Sequence, residues 1–220
     1  ICAYDVEAAR ILHSVLKEKV LQMFVLSTTL VYDRTKISFM PIQEKHPLTK
    51  GAVQGGYVHG KLELEDFWSN VCMNTTILRP YHILGECSLL GCLPFHNRDP
   101  NLVQKINVGE EIELCDGGRI PLNIIHPKDI GRAIIVLARK LRPYKEIYNL
   151  VNPQEVLARE YYQEIARQLG KELKIKSVPS EEVWKSPIGW SLTTFPHLYS
   201  MEKLYQAVGY LGMPRTPLSQ

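Results

Sequence analysis

Val25-Leu-Ser-Thr-Thr-Leu-Val-Tyr32, Tyr57-Val-His-Gly-Lys61 and Thr75-Thr-Ile-Leu-Arg-Pro80 follow one another in that order. The first is part of an apolar, β-rich run, Gln22–Tyr32, that carries the hydroxyls of Ser27, Thr28 and Thr29 in its second half. The second opens a stretch of helical periodicity over Tyr57–Asn74. The third reads as a short strand over Thr75–Leu78, closed by Arg-Pro. Tyr57 lies 29 residues after Thr28 and 18 before Thr75. Strand, helix and strand in succession predict a parallel sheet, and a near-continuous apolar strand suits one covered on both faces.

The chemistry of the three segments converges. On a helix, residues i and i+4 share a face, so Tyr57 and Lys61 point the same way. A free phenol titrates at about 10. A neighbouring ammonium stabilises the phenolate and lowers that value. Tyr57 can then exchange a proton with a substrate hydroxyl or carbonyl near neutral pH. Thr28, at a strand end, can donate to the same oxygen. The strand period of two places Ser27 and Thr29 on the opposite face. The ordered set points to hydride chemistry on a nicotinamide cofactor.

Tyr-x-x-x-Lys alone says little. Eleven tyrosines and fifteen lysines give about 0.75 chance pairs, and three occur: Tyr32/Lys36, Tyr57/Lys61 and Tyr199/Lys203. Context selects among them. The first straddles a strand end and a loop, and the last has no strand after it. Only Tyr57/Lys61 lies on a helix between two predicted parallel strands.

Working outward, residues 6–19 read as an amphipathic helix and Asp33–Gly56 as a long loop. Residues 82–100 are irregular, with Asp99-Pro100 suited to start a short helix. Strands are expected at Glu111–Cys115, Ile120–Ile125, Glu146–Leu150 and Glu172–Val178, with a turn at Asp116-Gly-Gly118. Helices are expected at Lys128–Leu141, Ala158–Leu169 and Met201–Val208. Asp129 and Arg132 read as an exposed helix pair, His126 as a structural cap, and Trp184 and Trp190 as packing under a loop. The basic group Arg139-Lys140-Leu-Arg142 complements a helix end.

Composition excludes several classes. The 220 residues are 45% hydrophobic and 22% charged, with net charge +3. That balance is ordinary for a globular protein. It is too diffuse to imply a nucleic-acid or membrane partner. No apolar run approaches the roughly 18 residues of a membrane span. Five unpatterned cysteines form no metal-ligand motif, which suits reduced thiols in the cytoplasm.

On these residues the chain resembles the extended short-chain dehydrogenase/reductases, the NAD-dependent epimerase/dehydratase group. Val25–Tyr32 matches that family's strand with its Ser/Thr and Val-Tyr ending, and Tyr57/Lys61 matches the catalytic pair. Ile77-Leu-Arg-Pro80 matches the strand whose end lies against the nicotinamide. Asn123-Ile-Ile-His-Pro-Lys-Asp-Ile-Gly-Arg-Ala133 resembles the family's Phe-Ile-His-Val-x-Asp-Val-Ala-x-Ala segment. Glu146-Ile-Tyr-Asn-Leu150 resembles its Tyr-Asn-Leu strand. The resemblance implies an α/β fold: part of an NAD(P)-binding, Rossmann-like parallel sheet with a smaller C-terminal substrate lobe. Residues 1–150 would be the C-terminal part of the Rossmann-like domain, with 86–118 partly in the lobe, and 151–220 mainly lobe. It implies Thr28 as hydrogen-bond donor, Tyr57 as acid/base and Lys61 as its tuner and ribose ligand. Tyr57, Lys61, Pro80 and Tyr81 would bind NAD or NADP, and His82 and Thr29 the substrate.

The expected activity is that of an NAD(P)-dependent oxidoreductase or nucleotide-sugar epimerase on a small-molecule substrate. A homodimer is compatible with it. Three departures qualify the resemblance. The family's Gly-rich βαβ unit has no counterpart, so the chain alone is expected to bind NAD poorly, with that unit expected upstream of Ile1. Thr29-Leu30 stands where 4,6-dehydratases carry Asp-Glu, which disfavours water elimination. His82 stands where sugar epimerases carry an Asn. The alternative is a non-catalytic regulatory, scaffold or RNA-binding member of the fold. A looser resemblance to the chloroplast stem-loop RNA-binding branch, over His59-Gly-Lys-Leu-Glu63 and Phe195–Gly212, stands behind it.

Overall fold

The computed structural model describes residues 3, 5–50, 55–71, 74–86, 88, 99–140, 145–185 and 192–212. Trp190, Arg142 and the cysteines other than Cys115 lie outside the described residues. In chain order the elements are α1 (Val6–Leu16), β1 (Met23–Leu26), α2 (Gly55–Asn70), β2 (Thr75–Pro80), α3 (Leu102–Val108), β3 (Glu111–Cys115) and β4 (Pro121–Leu122). Then follow α4 (Pro127–Arg139), β5 (Glu146–Leu150), β6 (Val156–Leu157), α5 (Ala158–Gln168), β7 (Lys174–Val178), α6 (Ser180–Lys185) and α7 (Glu202–Val208). They divide into two compact units. One comprises Ile1–Tyr81, Pro127–Val151 and Tyr199–Met213, and the other His82–His126, Asn152–Leu198 and Pro214–Gln220.

The first unit holds a parallel sheet in the order β1-β2-β5. All six residues of the central strand β2 are buried, as in a strand covered on both faces. One sheet face packs on α1 and α2, where Ala9, Met23, Val25, Leu64, Trp68 and Ile77 form the core. The larger of these side chains each contribute roughly 1.5–3 kcal/mol when fully buried, and the Ala9 methyl about 0.8 kcal/mol. Helix α1 starts where Asp5 accepts the Ala8 N–H at 2.8 Å, a capping bond that satisfies one orphan donor.

The expected sequence boundary near residue 150 is crossed by the chain's return. Tyr199–Met213 groups with the sheet, not with 151–198. The cause is local. Asn149 Nδ2 donates to the Ser200 carbonyl, Tyr199 bridges Ile42, and α7 docks on β5.

In the second unit β3 pairs parallel with β7, and β4 antiparallel with β6. Residues 120–125 do not form the long strand expected. Only Pro121–Leu122 pairs as a strand, and Ile125 makes an isolated bridge to Ile83. Asp99 Oδ1 accepts the Asn101 N–H ahead of α3, but the cap position is Asn101, so Asp99-Pro100 forms a turn before the helix and does not cap it. Trp184 packs only in part: its ring stacks on Phe195 at 5.3 Å and its Nε1 donates to the Thr194 carbonyl, but it stays 41% exposed rather than covered by a loop. No helix among the described residues is long and apolar enough to cross a membrane.

Candidate functional site

Because β1, β2 and β5 run parallel, their carboxyl ends at Leu26, Pro80 and Leu150 lie at one end of the sheet. Open α/β sheets bind ligands outside that end. Thr28 sits there, two residues past β1, at 6% exposure. Its Oγ1 accepts the Leu30 N–H at 3.2 Å and so starts a 3₁₀ turn, Thr29–Val31. This local bond competes with the ladder and ends β1 at Leu26, whereas the apolar run suggested a strand as far as Tyr32. The expected strand alternation therefore does not place Thr29. Its side chain is wholly buried within the turn. Thr28 spends one lone pair on Leu30 and keeps an O–H that can donate.

Helix α2 packs against this turn. Lys61 is 2% exposed, and its Nζ donates to the carbonyls of Leu26 and Ala3, each at 2.8 Å. Burying an ammonium is costly unless acceptors compensate it, and the two carbonyls do so. The ammonium is thereby anchored at the last residue of β1, two positions before Thr28. Tyr57, one turn earlier on α2, is 44% exposed, and Lys61 Nζ lies 5.7 Å from the centre of its ring. Lys61 links the helix and the Thr28 turn. Its position suits both tuning Tyr57 and holding strand to helix.

The other expected residues are less directly disposed. Pro80 closes β2 in register with Leu150. Tyr81 is buried, with its ring 5.6 Å from Tyr199, which in turn lies 5.9 Å from Tyr32. His82 belongs to the second unit, where its carbonyl accepts the Ile125 N–H at 2.9 Å and its side chain is buried.

A buried polar network lies next to these residues, and motif reading passed over it. Arg79 is 1% exposed and Glu65 4%. Arg79 Nε and Nη2 donate to the two Glu65 carboxylate oxygens at 2.9 and 2.6 Å, and Nη1 donates to the Glu44 carbonyl at 3.3 Å. The guanidinium lies 4.9 Å from the Tyr32 ring centre. Burial is the largest single influence and opposes the Arg79 charge, but Glu65 and, after it, Tyr32 together outweigh it and hold the guanidinium above its ordinary pKa. Burial also raises the Tyr32 phenol, against the pull of Arg79. Tyr32 is thereby kept as a donor to Asn149 Oδ1 at 2.5 Å. A lone arginine inside the apolar strand Thr75–Pro80 was the available signal, since buried charges require partners. Asp129 is a second surprise. It was expected on an exposed helix face, yet is 1% exposed while Arg132 extends outward to meet its Oδ1 at 2.7 Å. Pro127 starts α4 one residue earlier than expected, and in its first turn Asp129 and Ile130 face inward while Pro127 and Lys128 stay exposed.

A model of the NAD dependent epimerase/dehydratase family matches residues 6–150, spanning every residue of the Thr28, Tyr57 and Lys61 arrangement. The chain belongs to that family. Among curated proteins none matches it by sequence. Solved structures of the same fold include UDP-glucuronic acid 4-epimerase from Bacillus cereus in complex with NAD. Its TM-score is 0.70 at 14% identity, over 98% of this chain and 61% of that one. The Bordetella bronchiseptica enzyme WbmH in complex with NAD+ gives 0.72 at 18%, over 97% and 63%. A dTDP-glucose 4,6-dehydratase, the DesIV double mutant from Streptomyces venezuelae with NAD bound, gives 0.63 at 18%, over 91% and 57%. The chain thus spans roughly three fifths of the length of these epimerase/dehydratase-family structures. At such identities they establish the shared fold.

Proposed function

We propose that the protein carrying this chain is an NAD(P)-dependent epimerase or oxidoreductase acting on a nucleotide sugar through Thr28, Tyr57 and Lys61. The observation that carries the reading is the Lys61 ammonium, pinned to the Leu26 carbonyl at the end of β1 and set 5.7 Å from the Tyr57 ring centre. An ammonium, a half-exposed phenol and a threonine hydroxyl at the carboxyl end of a parallel sheet form a donor set that fits a nicotinamide nucleotide. Lys61 would hold its ribose, and Pro80 and Tyr81 would flank its nicotinamide. When bound, that cofactor supplies a site for hydride exchange.

The chain's own residues do the proton chemistry. Tyr57 takes the proton from a substrate hydroxyl as that carbon is oxidised, and returns it on reduction. Thr28 donates its O–H to the same oxygen. Lys61 favours the phenolate by its charge. Thr29 and Leu30 offer no carboxylates, which disfavours water elimination. UDP-glucuronic acid and UDP-glucose, bound by proteins of the same fold, are the first substrates to try.

The test is Tyr57→Phe in the full protein, with NAD(H) binding followed by fluorescence beside turnover of both UDP-sugars. Turnover falls by about 10²–10⁴-fold, the usual contribution of a general acid–base group, while NAD(H) affinity holds. The competing reading is a non-catalytic member of the family, favoured by Lys61 spending donors on two backbone carbonyls. Absence of NAD(H) binding by the unaltered full protein would select it.

A further inference from the structure

We infer that Arg79 is a positioning residue for the reaction: through Glu65 and Tyr32 it holds the helix bearing Tyr57 and Lys61 in register with the turn bearing Thr28. The inference rests on the acid–base reading above and adds to it a residue that touches none of the reacting atoms.

The geometry is specific. Glu65 lies four residues beyond Lys61 on α2 and eight beyond Tyr57. The two-pronged bond from Arg79 to Glu65 ties both the rotation and the height of α2 to β2. The central carbon Cζ of the same guanidinium lies 4.9 Å over the centre of the Tyr32 ring. Tyr32 closes the 3₁₀ turn that Thr28 opens. Its hydroxyl is held in turn by Asn149, the residue paired with Arg79 across β2 and β5. A third contact, from Nη1 to the Glu44 carbonyl, fixes the loop between turn and helix. One planar group therefore touches both arms of the site.

Stability alone does not account for this choice. Well-packed apolar residues often replace a buried ion pair without loss. A fork with two fixed donors and a stacking face gives direction, which an apolar pair does not. Direction matters here, because a misplacement of roughly 1 Å can cost about 10²-fold in rate.

The experiment is Arg79→Lys in the full protein. Lysine keeps the charge opposite Glu65 but loses the fork and the stacking plane. Three readouts are taken: thermal unfolding, kcat and KM on UDP-sugar, and the titration of Tyr57 by NMR of tyrosine labelled at Cζ, assigned with Tyr57→Phe. The expected result is a folded protein whose kcat falls about 10²-fold with KM little changed. The Tyr57 midpoint moves up toward the ordinary phenol value of about 10. Glu65→Asp, which withdraws the carboxylate by one methylene, gives the same pattern if the lysine variant does not fold. A folded variant of either kind with unaltered kcat and an unmoved Tyr57 midpoint overturns the inference. So does failure of both variants to fold, which would make the pair a folding element only. Persistent turnover in Tyr57→Phe, or a Tyr57 midpoint near 10 in the unaltered protein, strikes the acid–base reading instead.

Discussion

Asn149→Leu tests whether one amide knots three distant segments of the sheet unit together. Asn149 is wholly buried. Its Oδ1 accepts from Tyr32, and its Nδ2 donates to the carbonyls of Ile42 and Ser200 at 3.0 and 3.2 Å. Leucine has nearly the same shape and leaves the buried Tyr32 hydroxyl and the part-buried Ser200 carbonyl without this bond, whereas the Ile42 carbonyl keeps the Ser200 N–H at 2.8 Å. Each of the two orphaned groups costs about 1–3 kcal/mol, so the middle of that range gives about 4 kcal/mol. Burying the leucine side chain returns about 2 kcal/mol. The net loss is about 2 kcal/mol, still a sizeable share of a domain's usual 5–15 kcal/mol. For a chain of this size it lowers Tm by roughly 4–8 °C. Tyr32→Phe removes one donor and costs only about 1–2 kcal/mol. The double variant costs less than the sum, because the tyrosine hydroxyl orphaned by leucine is then gone. Urea unfolding followed by circular dichroism, with m unchanged, measures all three. A loss under about 1 kcal/mol for Asn149→Leu, or strict additivity, would refute the knot.

Two further outcomes are expected in the second unit. Hydrogen bonds from Arg167, then Gln168, lower the Glu164 carboxyl to about 2. Any stability it contributes is present above the ordinary value of 4.5 and is lost as pH falls through about 2. The pair is exposed and screened by salt, so the sensitive measurement is NMR titration of the carboxyl, whose midpoint should rise toward 4.5 in Arg167→Ala. An unchanged midpoint would deny the pairing. Gly118 has φ +77°, and a Cβ there would stand 2.7 Å from the Arg159 backbone nitrogen. Gly118→Ala should therefore cost more than the roughly 1–2 kcal/mol of left-handed strain alone. Gly170→Ala, at φ +66° with nothing within 4 Å of its Cβ, should cost only that strain. Equal melting losses would contradict the clash.

Much of the sheet unit was legible in the sequence because its signals are local. The apolar run before Thr28, the periodicity after Tyr57 and the block Glu146–Leu150 each follow from burial of one face or both. The family match over 6–150 agrees with the segments quoted from Val25 to Leu150. Boundaries set by side-chain competition were harder. Thr28 capping its own turn cut β1 short, a bond that periodicity does not encode. The second unit was least legible. Strands β4 and β6 hold two residues each, too few to show alternation. The partner of β3 is β7, nearly sixty residues later.

The sequence by itself determined the α/β alternation, the order of hydroxyl, Tyr-x-x-x-Lys and Leu-Arg-Pro, and thereby the family. These are properties of residue type and spacing, and they survive without knowing what touches what. Only the tertiary structure decided that Lys61 ends on the Leu26 carbonyl, that Arg79 grips Glu65 beneath Tyr32, and that Tyr199–Met213 returns to the sheet. The Arg79–Glu65 pair is 14 residues apart, Lys61–Leu26 35, and Asn149–Ser200 51. Over such separations a chain specifies only that a buried charge or amide must find a partner. Which partner it finds is fixed when the packed elements bring one within hydrogen-bond reach.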